Sequence, residues 1–217
     1  MPHFFAERDG DQVSISGADA RHLATSLRAR PGQVIAVVEP VGRLLQVRLQ
    51  TVASTVVTGR VEEERPHRPE PERGITLAIA LLPAGSLDLV LSRCTEAGAN
   101  AFRLVAASRS VARGGRPERW SAICREAAML AGRLRVPEVS APVRLAAAWR
   151  EAADPYLLDM SGEPMRGLPD GATLFIGPEG GWAPEERKLA AARTLSLGPR
   201  NLRADTAAVV GLTLALS

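Results

Sequence analysis

Several things are scarce or missing in these 217 residues, and each absence removes a class of function. There are two cysteines, Cys94 and Cys124, isolated in helix-like segments without metal-ligand spacing. They read as buried reduced thiols, and no metal is expected. No apolar run is long enough to cross a bilayer, so no membrane partner is expected. The start, Met1-Pro2-His3-Phe4-Phe5-Ala6-Glu7-Arg8, lacks a basic stretch followed by an apolar one, and a cytoplasmic location follows as the expectation. No Gly-Lys-Ser or Gly-Lys-Thr triplet occurs. The first buried strand leads into Leu82-Pro83-Ala84-Gly85-Ser86, which offers one glycine where a dinucleotide fingerprint needs three. Lysine occurs once, at Lys188, so positive charge is almost all arginine, and the net charge is only +3. Arginine suits bidentate phosphate contacts, although a biased genome composition produces the same excess.

What is present divides into two blocks. Hydrophobic residues make up 46% of the chain, ample for a core. Up to about residue 70, strand-like runs dominate: Gln33 to Val38, Leu44 to Leu49 and Thr55 to Val61. Glu39-Pro40-Val41-Gly42-Arg43 supplies a hairpin turn between the first two. A short helix over Ala18 to Arg28 precedes them. The charged, proline-rich stretch Glu62 to Gly74 reads as a linker. From Ile75 the period changes to alternating buried strands and helices, as in a parallel α/β sheet. Strands are expected at Ile75–Leu82, Ala101–Ala107 and Tyr156–Asp159, with helices at Ser86–Ala97, Arg116–Arg133 and Leu145–Ala153. Trp120 falls on the apolar face of the second of these helices.

The rest of the chain is organised around its last fifty residues. Thr173 to Ile176 reads as a buried strand, Gly177-Pro178-Glu179-Gly180-Gly181 as a loop, and Ala183-Pro184-Glu185-Glu186 as a helix start. A second unit follows at once. Leu195 to Gly198 is strand-like, Pro199-Arg200-Asn201-Leu202-Arg203 a loop, and Ala204-Asp205-Thr206-Ala207 opens an apolar terminal helix. Glycines let a ligand approach the main chain closely, so two such loops on one sheet edge form a candidate cleft. Glu179 disfavours a phosphate there, whereas a ligand without phosphate, or one carrying positive charge, fits. The terminal helix has almost no polar face and must be buried within the domain, against a partner, or both.

Ile176-Gly177-Pro178-Glu179-Gly180-Gly181 followed by Leu197-Gly198-Pro199-Arg200-Asn201-Leu202-Arg203-Ala204-Asp205-Thr206-Ala207 resembles the paired signatures of the bacterial 16S ribosomal RNA (uracil-N3) methyltransferase family of the SPOUT superfamily. Thr95-Glu96-Ala97-Gly98, Arg109-Ser110-Val111, Glu118-Arg119-Trp120, Gly132-Arg133 and Val136-Pro137-Glu138-Val139 extend the resemblance over almost the whole chain. It implies an N-terminal PUA-like RNA-binding β-barrel over 1–70 and a trefoil-knotted parallel-sheet domain over 74–217. Neither the knot nor the homodimer that completes the site follows from periodicity; both come from the resemblance.

The resemblance also implies roles. S-adenosylmethionine would be held by Leu82, Ile176, Gly177, Pro178, Glu179, Gly180, Gly181, Leu197, Gly198, Arg200, Asn201, Leu202 and Thr206. The chemistry adds that an arginine at the uracil carbonyls would stabilise the anion left as the N3 proton departs, with Arg203 the first candidate, Arg200 the second, and Arg109 and Arg133 weaker ones. Arg21, Arg28, Arg30 and Arg43 in the barrel, with Arg109 and Arg133, would meet 16S ribosomal RNA, free or in the small ribosomal subunit. No general base stands out. The chain departs from the family pattern where a lysine is usual near Leu87, where a glutamine is usual near Leu130, and at Asp205 in place of glutamate. The departures at Leu87 and Leu130 support a second reading, a catalytically impaired RNA-binding relative.

Overall fold

The computed structural model describes residues 2–111 and 116–217, which split into two compact units, Met1–Glu70 with Ala128–Arg135, and Pro71–Ala127 with Val136–Ser217. The first unit contains β1 (His3–Phe5), β2 (Glu7–Asp9), β3 (Gln12–Ser16), α1 (Gly17–Arg21), β4 (Val34–Glu39), β5 (Arg43–Val52) and β6 (Val56–Pro66). These strands form one curled sheet in the order β1-β4-β5-β6-β3-β2, antiparallel except for the β1–β4 pair. Alternate residues Ile35, Val37, Leu45, Val47 and Leu49 face inward onto Phe4, Val13 and Ile15, the period-2 pattern of a sheet with one buried face. Two register shifts in the β5–β6 ladder bend it.

Two expectations are corrected here. The stretch Glu62 to Pro66 belongs to β6 and is not linker. Its charges are answered across the sheet, Arg48 to Glu62 at 2.5 Å and Arg43 to Glu64 at 2.6 Å, so a polar ribbon continues the ladder without burying apolar surface. The helix over Ala18 to Arg28 is α1 followed by one wider turn, His22–Ser26, and it ends before Arg28. There the Ala29 N–H reaches back to the Leu23 carbonyl and Arg28 takes a φ of 50°, a helix-end position usually given to glycine.

The second unit holds β7 (Thr76–Ala80), α2 (Ala84–Glu96), β8 (Ala101–Ala106), most of α3 (Pro117–Ala131), β9 (Glu138–Val139), β10 (Val143–Arg144), α4 (Leu145–Glu151), β11 (Pro155–Pro164), β12 (Thr173–Ile176), α5 (Pro184–Leu189), β13 (Thr194–Ser196) and α6 (Ala204–Leu216). All strand pairs are parallel, in the order β10-β8-β7-β12-β11-β13, with β9 beside β8. Leu77, Ile79, Leu174 and Ile176 pack on one face with Leu91, Leu212 and Trp120. Ala78, Ala80 and Phe175 point the other way, toward Leu145, Ala148 and Trp182. With both faces covered, the strands read as continuous apolar runs, which is why β12 is buried at all four positions. Among the described residues, no helix is long and apolar enough to cross a membrane.

Candidate functional site

Three neighbouring parallel strands meet at one cleft of about 330 Å³, β12 and β13 through their carboxyl ends and β11 through its middle. Ligands of open α/β sheets bind at such strand ends. The loop after β12 contributes Gly177 to Trp182, the loop after β13 contributes Leu197, Gly198, Arg200, Asn201 and Leu202, and β11 contributes Leu158, Asp159 and Met160.

The glycine loop is built around its own tryptophan. Trp182 is buried and donates its indole N–H to the Leu158 carbonyl at 2.9 Å. Pro178 to Gly181 closes as a turn through the Gly181 N–H to the Pro178 carbonyl at 2.8 Å, with Gly181 at a φ of 66°. Glu186 then ties the loop to the rest of the unit. It accepts from the Ala183 N–H, capping α5, and from the Ser108 N–H, both at 2.8 Å. Arg109 donates to the Gly180 carbonyl at 3.0 Å from the same segment as Ser108.

The wall from β11 is irregular. Leu158 and Glu163 both lie opposite Leu195, so Asp159 to Gly162 bulge out of the ladder. Gly162 permits this, because a Cβ there would stand 2.6 Å from Leu195 backbone atoms. Asp159 accepts from the Ser161 N–H at 3.0 Å, the Ser161 hydroxyl at 2.7 Å and Arg187 Nε at 2.9 Å. Burial pushes the Asp159 carboxyl up, but the Ser161 and Arg187 donors outweigh it and hold it below the usual carboxylate range.

Of the residues expected at the cofactor, the cleft gathers Ile176 to Gly181, Leu197, Gly198, Arg200, Asn201 and Leu202. Leu82 is not among them; its side chain is buried in the core with Leu81 and Leu87. Thr206 faces solvent on α6 and Arg203, 77% exposed with Asp205 3.9 Å away, also stands outside the lining. In the first unit Arg21, Arg28 and Arg30 are exposed and Arg43 is shared with Glu64. Arg133 is no surface contact. It is 2% exposed and bound to Glu70 at 2.6 Å, because an arginine so deeply buried needs its counter-charge. Asp159, Met160 and Arg187 line the cleft unannounced by any motif. Among the described residues no cluster of histidine, cysteine or carboxylate could hold a metal ion.

Comparison with known proteins gives a consistent picture. Residues 69–216 match the family model for the RNA methyltransferase domain. The chain is 33% identical over 224 residues to the ribosomal RNA small subunit methyltransferase E of Mycobacterium bovis, covering 94% of this chain and 85% of that one. It is 32% identical over 217 residues to the protein of the same name from Synechocystis, covering 92% and 71%. In fold it is similar to the ribosomal RNA small subunit methyltransferase E of Neisseria gonorrhoeae solved with S-adenosyl methionine, with a TM-score of 0.87, 23% identity, and 98% and 95% of the two chains covered.

Proposed function

The chain belongs to the RNA methyltransferase domain family, and on that premise we propose that it transfers a methyl group from S-adenosylmethionine to N3 of a uridine in 16S ribosomal RNA. The observation that carries this reading is the convergence of two glycine-bearing loops and a strand bulge on one cleft. The residues fit the cofactor on two counts. About 330 Å³ lies within the usual range for small-molecule sites, roughly 300–1,000 Å³. The charged lining is mixed, Asp159 and Glu179 with Arg187 and Arg200, which suits a ligand with both signs of charge better than a polyphosphate. The main-chain groups of Ile176–Gly181 and Leu197–Leu202 would hold it.

The bound cofactor supplies a methyl group on a sulfonium, an electrophile that needs no metal. What remains for the protein is to align the base and stabilise the charge left when the N3 proton departs. Alignment alone is worth up to about 7–11 kcal/mol. All three histidines precede residue 70, so the second unit has no imidazole base. Asp159 is held ionised by its donors and is a weak base. An arginine facing the uracil carbonyls then carries the electrostatic part. Arg200, which lines the cleft, comes before Arg203, which reaches it only by swinging from the start of α6.

The first unit serves as a PUA-like RNA-binding barrel through Arg21, Arg28, Arg30 and Arg43, with Arg109 adding a contact from the second. The knot implied by the resemblance is compatible with the late strands, since β12 inserts between β7 and β11 and β13 lies outside β11. A homodimer formed through α6, acting in the cytoplasm where ribosomal RNA is found, completes the reading. A catalytically impaired RNA-binding relative is the second reading, supported by the departures at Leu87 and Leu130, neither of which lines the cleft. Methyl transfer to small ribosomal subunits from a strain lacking the enzyme, with the product base identified by mass spectrometry, tests the proposal. Methylation at a base other than uracil, or no transfer with S-adenosylmethionine bound, overturns it.

A further inference from the structure

We infer that Asp159 and Arg187 form a paired recognition site for the α-amino acid end of the cofactor, Asp159 for its ammonium and Arg187 for its carboxylate. The inference rests on the S-adenosylmethionine reading and deepens it.

Four observations lead to it. Both side chains line the cleft, and they come from different elements, β11 and α5. Their contact is a single Nε–Oδ2 hydrogen bond of 2.9 Å, not a two-point fork. The remaining capacity is therefore matched to a second partner. A carboxylate offers about four acceptor sites and a guanidinium five donors. Asp159 uses three with Ser161 and Arg187, while Arg187 uses one, among the described residues. The exposures differ in the same sense, 10% for Asp159 and 49% for Arg187. Asp159 is thus a fixed anion, and Arg187 is a cation with its Nη groups available. Arg187 Nη2 comes up to the glycine turn, 3.8 Å from where a Cβ at Gly181 would stand.

The sequence adds a structural cost that this role explains. A bulge of four residues interrupts a parallel ladder, and it requires Gly162 against the Leu195 backbone. Its consequence is to carry Asp159 and Met160 into the cleft. An ordinary strand continuation would point Asp159 according to the pleat and leave Glu179, Arg187 and Arg200 as the cleft's charges, with Arg187 lacking the carboxylate beside it. An ammonium and a carboxylate on one carbon atom match an aspartate and an arginine held side by side, each charge meeting its opposite.

The test separates the amino acid end from the nucleoside. S-adenosylhomocysteine carries that end; 5′-methylthioadenosine lacks it and keeps the adenosine. Calorimetry on the full chain would compare both ligands on the wild type, Asp159→Asn and Arg187→Gln. The expected result is a loss of about tenfold or more for S-adenosylhomocysteine in each variant, with 5′-methylthioadenosine binding unchanged and so reporting an intact cleft. Equal loss of both ligands would make the pair a mere strap for the bulge and overturn the inference, as would no loss of either. A double variant, Asp159→Arg with Arg187→Asp, keeps an ion pair while reversing its direction. It should hold 5′-methylthioadenosine and not S-adenosylhomocysteine; recovery of both would also overturn the inference. If the wild type binds neither ligand, the cofactor reading fails first and takes this one with it.

Discussion

Gly177 lies against the indole of Trp182, where a Cβ at position 177 would stand 3.0 Å from ring atom Cε2. The ring cannot retreat, because it is buried and its N–H is spent on the Leu158 carbonyl. Gly177→Ala therefore forces the loop and the ring apart. The expected cost is about 1–3 kcal/mol, as for other overpacked sites, together with weaker cofactor binding. Urea denaturation and calorimetry check both, and unchanged values for both would refute the packing argument. Gly180→Val is milder for stability, since its Cβ would meet only Arg109 at 3.3 Å, and should act mainly on binding.

How much of this a reader could find in the sequence depends on where each cause lies. β12 is legible because burial on both faces leaves three successive apolar residues, Leu174 to Ile176, after a buried threonine. The two glycine loops are legible because their conformations need those residue types locally. The Asp159–Gly162 bulge is not, because its cause is a register slip against Leu195, thirty-odd residues on in the chain. Arg187 likewise looks like any basic residue in the last turn of a helix. Over Glu62–Pro66 the composition reads as linker, because cross-strand partners such as Arg43 and Arg48 are invisible to it. Arg133 reads as an RNA contact for the same reason, since Glu70 lies sixty-three residues earlier.

Removing the cleft arginines should separate rate from binding. Arg200→Ala is expected to cut single-turnover methyl transfer at saturating RNA and cofactor by about 10²–10³-fold, the range for losing one charge-stabilising donor. Arg203→Ala should cut it less, as its side chain stands outside the lining. RNA affinity by filter binding should move little in either. An Arg203 variant slower than the Arg200 variant would reverse the ranking.

The Glu70–Arg133 pair makes the first unit acid-sensitive. Burial pushes Glu70 up, but the Arg133 hydrogen bonds and charge, the Leu134 N–H and Arg135 together bring it below its ordinary value of 4.5. A folded-state value below the unfolded one gives stability that is complete above that ordinary value and lost as pH falls through the depressed one. Glu70→Gln should remove this part of the pH dependence. It should also destabilise the first unit at neutral pH by removing the Glu70 charge from the buried Arg133 guanidinium. Denaturation of the wild type and the variant between neutral and acid pH would show it, and parallel pH profiles would count against it.

The proposed dimer follows from what α6 leaves uncovered. Ala208, Gly211, Leu212 and Ala215 face the sheet, with Gly211 so close that a Cβ would lie 2.9 Å from Leu158. Thr206, Val210 and Thr213 remain exposed on a helix with almost no charge. A second copy is the occupant expected from the resemblance. Sedimentation at micromolar concentration should find a dimer, and Val210→Glu should shift it toward monomer. A wild-type monomer would remove the proposal.

RNA recognition and catalysis should divide between the two units. Arg28 occupies a left-handed position where glycine is the usual occupant, at a cost of about 1 kcal/mol or more. Strain of this kind persists where a side chain is used, and Arg28 and Arg30 are exposed with no ion pair among the described residues. Arg28→Gly is therefore expected to leave the first unit as stable or more stable while weakening RNA binding, a combination that a purely structural arginine does not give. Replacing Arg28 and Arg30 together should lower the slope of log affinity against log salt by about one unit for each lost phosphate contact. Cofactor affinity should be untouched, because both loops that line the cleft belong to the second unit. Salt titrations of RNA binding, thermal unfolding and calorimetry on these variants give the three readings. Normal RNA binding by the double variant would move recognition away from this part of the barrel and leave Arg21 and Arg43 to be tested in its place.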